Sequence, residues 1–130
     1  MITAIGTVGL VVSDQDAAVR FFVDVLGFEK RADAPMGPNQ RWIELAPPGG
    51  ATAIVPVTPD FMQGMDGRLG TFSMLTLRCA DIDATCAALK ARGVAFEQEP
   101  RAAHWGRHAI FKDPDGNSFV LVEPAGEPAD

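Results

Sequence analysis

Basic residues are in short supply. The 130 residues carry 11 Lys and Arg against 17 Asp and Glu, for a formal net charge of −6 and a pI near 4.8. No basic cluster exists that could track a phosphate backbone or an anionic lipid surface, so nucleic acid and membrane are argued against as partners. Long hydrophobic runs are missing too. No apolar stretch approaches the roughly 20 residues of a membrane-spanning helix, and no charged region precedes the apolar start of the chain. The expected location is cytoplasmic. Cysteine is scarce: Cys79 and Cys86 form neither a CxxC pair nor a disulfide framework, and reduced, buried thiols are expected. A nucleophile elbow, a phosphate loop, a dinucleotide fingerprint and a paired-carboxylate constellation are all absent, which leaves no recognisable catalytic motif.

What is present suits a single α+β domain spanning 1–130. Hydrophobic residues make up 47% and charged residues 22%, ordinary for a globular chain of this length with a real core. The clearest local signal is Asp113-Pro114-Asp115-Gly116-Asn117, between β-like runs at Arg107–Lys112 and Ser118–Glu123. Pro114 presets φ and Gly116 accepts a positive φ, so this stretch predicts a hairpin. Pro47-Pro48-Gly49-Gly50, between Arg41–Leu45 and Ala51–Val57, is a weaker copy.

Around these hairpins the pattern repeats. Ala4–Val12 reads as a strand. Ser13 is placed to cap a helix, with Asp14 and Asp16 in its first turn. Ala18, Phe22, Val25 and Leu26 recur at helical spacing until Gly27. Phe28–Ala32 is a short strand, and Asp33–Asn39, with two prolines, a loop. Thr58–Gly70 reads as a linker, with a mobile flap bearing Phe61, Met62 and Met65 as the alternative. Thr71–Cys79 is a strand, Asp81 caps a helix carrying Ile82, Cys86 and Leu89, and Gly93 ends it. Val94–Gln98 is a strand and Glu99–Ala103 a connection; from Pro124 on the chain is expected to fray. The order is therefore βαβββ twice: module one at about 4–57, linker 58–70, module two at about 71–123. Val12–Ala17 matches Cys79–Ala84 at a shift of 67 residues, and Gly27 matches Gly93 at a shift of 66.

With these residues in place the chain resembles the vicinal oxygen chelate superfamily, which includes glyoxalase I, bleomycin-resistance proteins, extradiol dioxygenases and fosfomycin-resistance enzymes. Leu10–Asp14, Phe21-Phe22, Leu26–Phe28, Asp81–Asp83, Arg92–Val94 and Asp113–Asn117 follow the family's order. The resemblance implies that each module curls into a U-shaped sheet, the two forming a barrel-like mixed sheet around a pocket, often in a homodimer with exchanged modules. It also implies where a metal would be held: on the first and last strand of each module. Those positions fall on Thr7 and its repeat mate Met74, and on Val120 and its mate Ile54. A lone Thr hydroxyl, a thioether and two aliphatic side chains do not make the His, Gln and Glu set that a divalent metal needs. No metal and no cofactor is therefore expected.

What remains is an apolar, mildly polar concavity. Strand alternation sets Thr7, Gly9 and Val11 on one face with Thr52, Ile54 and Pro56, and Phe72, Met74 and Thr76 with Ser118, Val120 and Val122. Val8, Leu10, Leu75, Leu77, Phe119 and Leu121 then face the helices. The expected ligand-binding residues are Thr7, Trp42, Ile54, Phe72, Met74, Trp105 and Val120. Trp42 either lines the pocket or packs beneath the Asp33–Asn39 loop. Trp105 either stacks on a planar ligand or closes one end of the sheet. His104 and His108, four apart, would stand roughly 13 Å apart on a strand, too far for one metal. Two readings result. One is a metal-free dimeric protein that sequesters a hydrophobic or aromatic small molecule. The other is an enzyme, either a metal-independent isomerase, epimerase or cyclase using His104, His108 or Glu44 as acid or base, or a lyase with an atypical metal set.

Overall fold

Both halves of the chain build the same succession of elements. The structure is a computed structural model that describes residues 1–126, and it divides into two units, Met1–Leu69 and Gly70–Asp130. The first unit holds β1 (Thr7–Val11), α1 (Gln15–Arg20, continued by a π-turn over Phe21–Val25), β2 (Glu29–Pro35), β3 (Arg41–Ala46) and β4 (Ala53–Val57). The second holds β5 (Phe72–Arg78), α2 (Ile82–Ala91), β6 (Ala95–Ala103), β7 (Gly106–Lys112) and β8 (Ser118–Pro124). Each unit carries a four-stranded mixed sheet, ordered β1-β4-β3-β2 in the first and β5-β8-β7-β6 in the second. In both, the first strand of the module runs parallel to its last. Each sheet is open, with two edge strands, rather than closed into a barrel.

Local chemistry accounts for the helices. Asp14, not Ser13, caps α1: its backbone is extended and its carboxylate accepts from Ala17 N at 3.1 Å. Asp81 does the same for α2 through Ala84 N at 3.0 Å. Gly27 and Gly93, with φ of 81° and 87°, stop the two helices where only glycine takes the left-handed turn without strain. The π-turn widens the end of α1, with Leu26 N bonded to Phe21 O at 3.0 Å, and lets both Phe21 and Phe22 enter the core. Gln15 locks the start of α1 onto the sheet. Its amide donates to Arg41 O (2.7 Å) and Pro56 O (2.9 Å) and accepts from Arg41 N (3.1 Å).

Two strands outrun the sequence expectation. β2 continues through Asp33 and Ala34 to Pro35, and β6 through Glu99–Ala103. Both are edge strands, where proline removes no needed ladder bond. β6 absorbs Pro100 within the register shift between Gln98 and Arg101. Thr58–Gly70 is not a bare linker. It forms two 3-10 turns, Pro59–Phe61 and Asp66–Arg68, and Phe61 and Met65 pack on Val11, Val55 and Val57 of the first sheet. The fraying expected from Pro124 on concerns a residue that ends β8, while residues 127–130 lie outside the described part.

The two cores are built alike. Leu10, Phe22, Ile43, Leu45 and Ile54 are buried in the first unit. In the second, Ile82, Cys86 and Leu89 of α2 are buried, as are Ala109, Phe111, Phe119 and Leu121, and Phe111 stacks on Phe119 with ring centres 5.3 Å apart. Among the described residues no helix is long and apolar enough to cross a membrane.

Candidate functional site

The Asp-Pro-Asp-Gly-Asn turn does more than reverse the chain. Asp113 accepts from Asp115 N (3.0 Å), Asn117 N (2.8 Å) and Asn117 Nδ2 (2.9 Å). Asn117 Oδ1 in turn accepts from Gly70 N (2.8 Å) and Thr71 N (3.3 Å). The turn thereby holds the first residues of the second unit against β8 and seats Phe72 opposite Ser118. Burial pushes the Asp113 carboxyl up, against the opposing pull of the Asn117 hydrogen bonds.

Ladder partners share a face of a sheet, so register decides which side chains meet. In the first unit Thr7 pairs with Ala53, Gly9 with Val55 and Val11 with Val57, whereas Val8 pairs with Ile54. Ile54 thus belongs to the helix-facing side, with Val8 and Leu10, and not beside Thr7. Val55 takes the place expected for it. Leu45 pairs with Ile54, so Trp42 and Glu44 alternate onto the other side, with Thr7 and Val55. Trp42 packs on the Val11, Val55 and Val57 cluster alongside Phe61 and Met65. Its Nε1 donates to Glu44 Oε2 at 2.8 Å.

In the second unit Phe72 pairs with Ser118, Thr76 with Val120 and Arg78 with Val122. Four residues of β5 thus span two of β8. The extra pair forms a bulge that contains Met74, at φ 63° and 81% exposed. Met74 therefore has no ladder counterpart in the first unit, and Phe72 occupies the register position of Thr7. β7 adds Lys112 opposite Ser118, Ile110 opposite Val120 and His108 opposite Val122, and β6 adds Gln98 opposite Ile110 and Arg101 opposite His108. Phe72, Ile110, Ser118 and Val120 line a concavity of about 320 Å³, with Glu97 and Lys112 in its wall as an ion pair at 3.7 Å.

Trp105, in the β6–β7 turn and 44% exposed, stacks on His108 with ring centres 4.8 Å apart and planes 34° apart. His104 stands in the same turn, exposed, rather than on a strand beside His108. Two polar atoms on this face, Gln98 Nε2 and His108 Nδ1, are buried with no hydrogen-bond partner among the described residues. An unpaired buried polar atom costs roughly 1–3 kcal/mol, so such atoms demand a reason.

The structure thus brings Phe72 and Val120 together, sets Trp105 over His108 and gathers Trp42 with Val55. It leaves Ile54 in the core and Met74 on a bulge. Val55, Ile110 and Gln98 were missed, although Ile110 is one alternation from His108 and Gln98 ends the strand expected at Val94–Gln98. The metal positions implied by the resemblance become Thr7, Phe72, Val55 and Val120 in this register. One hydroxyl among three apolar side chains does not fit a divalent ion. Among the described residues no three His, Cys, Asp or Glu side chains converge into a metal-binding group.

Elsewhere charge is neutralised locally. A more open concavity of about 560 Å³ in the first unit is lined by Asp14, Asp16, Gln40, Arg41 and Thr58 among others. There Arg41 binds Asp16 at 2.6 Å and Asp33 at 2.8 Å. Hydrogen bonding to Arg41 holds both carboxyls below the usual range, Asp33 far below it. Cys79 and Cys86 are free thiols, half-buried and buried, and burial pushes both up, away from the thiolate.

Known proteins agree with this geometry. Residues 4–121 match the family model of the Glyoxalase/Bleomycin resistance protein/Dioxygenase superfamily. The chain is 40% identical to the uncharacterized protein YetH of Bacillus subtilis (strain 168), over 95% of this chain and all of that protein. It is similar to TnmS3, an antibiotic binding protein from Streptomyces sp. CB03234: 41% identity, 95% of this chain and 98% of that one, TM-score 0.83. A superfamily member from Sphaerobacter thermophilus DSM 20745 superposes with TM-score 0.87 at 36% identity, over 93% and 97% of the two chains. Carrying the family's two βαβββ modules and matching its model over nearly the whole length, the chain belongs to the Glyoxalase/Bleomycin resistance protein/Dioxygenase superfamily.

Proposed function

We propose that the chain is a metal-free binding protein that sequesters a hydrophobic or aromatic small molecule. One observation carries the reading. Where the family would place metal donors, the first sheet presents Thr7 and Val55, on the face that carries Trp42, and the second presents Phe72 and Val120, one hydroxyl and three apolar side chains. Metal-assisted chemistry needs donors that these side chains lack, whereas apolar and aromatic side chains with a few polar groups suit a planar ligand. The 41% identity to an antibiotic binding protein supports the same direction, and the net charge of −6 favours a cationic compound. The protein is further proposed to act as a homodimer, since Phe72 and Met74 are 53% and 81% exposed and such side chains call for cover.

The enzyme reading keeps one specific support: Glu44 and His108 are half-buried on the sheet faces instead of pointing fully into solvent. The two readings separate by experiment. A panel of aromatic and cationic compounds is titrated while following tryptophan fluorescence and melting temperature, and elemental mass spectrometry measures metal in protein purified without chelator. A ligand present at 100 times its Kd should add about 2.7 kcal/mol of stability. Failure of every compound to quench or stabilise sinks the binding reading. Stoichiometric Zn, Ni, Mn or Fe would return the metal-dependent enzyme to the lead.

A further inference from the structure

Gln98 and His108 stand in adjacent rows of the second sheet, opposite Ile110 and Arg101 respectively. Both alternate onto the side that carries Ile110, Val120 and Thr76. Each offers one buried polar atom, Gln98 Nε2 and His108 Nδ1, that no described residue satisfies. Charged side chains on the strand of His108 do find partners: Lys112 pairs with Glu97 at 3.7 Å and Arg107 with Asp83 at 2.5 Å. The unpaired atoms are therefore not part of a general shortage. They flank an apolar floor, and Trp105 stacks on His108.

We propose that Gln98 and His108 form the polar end of a ligand site on this face, selecting a planar aromatic that carries a carbonyl and a hydroxyl. The inference rests on the binding reading above and names its ligand class. The Gln98 amide N–H donates to the carbonyl. Unprotonated His108 Nδ1 accepts from the hydroxyl. Ile110 and Val120 supply the floor, and Trp105 flanks the ring on the His108 side. Adjacent rows on one strand face lie ~7 Å apart, which favours oxygens at separate corners of a fused ring system over two on neighbouring carbons. A hydrocarbon of the same shape would leave both polar atoms unpaired, and sites built to pair a hydroxyl reject analogues that lack it.

Umbelliferone, a rigid bicycle with a hydroxyl and a lactone carbonyl set well apart, is the probe, and naphthalene is the apolar comparison. Binding of each is measured by fluorescence titration to the wild type, to Gln98→Met and to His108→Phe, with far-UV circular dichroism checking the fold. The wild-type preference for umbelliferone over naphthalene should fall at least about tenfold in either variant, with naphthalene affinity held or raised. If both probes bind and their ratio is unchanged by the substitutions, this inference is overturned while sequestration of aromatics stands. If neither probe binds the wild type, both are overturned. Should a variant fail to fold, the wild-type ratio still decides: a protein that binds naphthalene at least as tightly as umbelliferone has no polar end of this kind.

Discussion

Single residues carry the site's chemistry and much of its support. Asn117 is 1% exposed and bonds to Asp113 at the other end of its turn and to Gly70 and Thr71, which lead into β5. Asn117→Ala removes the amide that donates to Asp113 Oδ2 and accepts from Gly70 N and Thr71 N, so we expect a loss of about 2 kcal/mol in urea unfolding. An unchanged midpoint would show that the turn does not hold β5. Trp105→Ala should weaken aromatic ligands at least about tenfold, or 1.4 kcal/mol, with stability nearly unchanged because the ring is 44% exposed. A pH dependence arises at Arg41. Asp33 and Asp16 have folded pKa values held below their ordinary 3.8 by that guanidinium. Their contribution is therefore fully present above the unfolded value and is lost as pH falls below about 3.8 through the depressed folded values. Arg41→Met should flatten the acid limb of a stability–pH curve; an identical slope would mean that the ion pairs are fully screened.

At the scale of elements, the bulge in β5 separates the two modules. Their helices, caps and hairpins repeat closely, yet β5 spends two more residues than β1 over the same ladder. Met74 takes the strain, at φ 63°, a conformation that disfavours any side chain with a Cβ by roughly 1 kcal/mol or more. Met74→Gly should therefore raise stability by about 1 kcal/mol in a dilute monomeric sample, read as a higher urea midpoint. No gain there would mean that the thioether repays its strain through contacts of its own. The edge strands tell a complementary story. Prolines at 35 and 100 read as loop signals in the sequence, but an edge position and a bulge accommodate both within strands.

For the whole molecule, the proposed dimer has a simple test. Twice 13.8 kDa is about 28 kDa, and light scattering at micromolar concentration should report it. A chain that remains near 14 kDa at every concentration would remove the homodimer, although not the binding reading. Phe72→Ser with Met74→Ser would shift the equilibrium towards monomer if these exposed side chains are what the partner covers.

The sequence by itself determined whatever is local. Asp81 as a helix cap, Gly27 and Gly93 as helix ends, the Asp113–Asn117 turn and the βαβββ repeat all follow from short-range sterics and hydrogen bonding. They were legible for that reason, and with them the family. The scarcity of metal donors on the strands beside each hairpin was legible too, since it depends only on which residue types stand there. Tertiary structure alone decided which of them share a face. A shift of one in ladder register turns a side chain through the sheet: Ile54 went to the core and Val55 to the face. A two-residue bulge left Met74 without a counterpart. The cover of Phe61 and Met65 over the first sheet, and the unpaired atoms of Gln98 and His108 on the second, depend on contacts between residues far apart in the chain. No local pattern encodes such contacts, because burial and pairing exist only once the strands have chosen their neighbours.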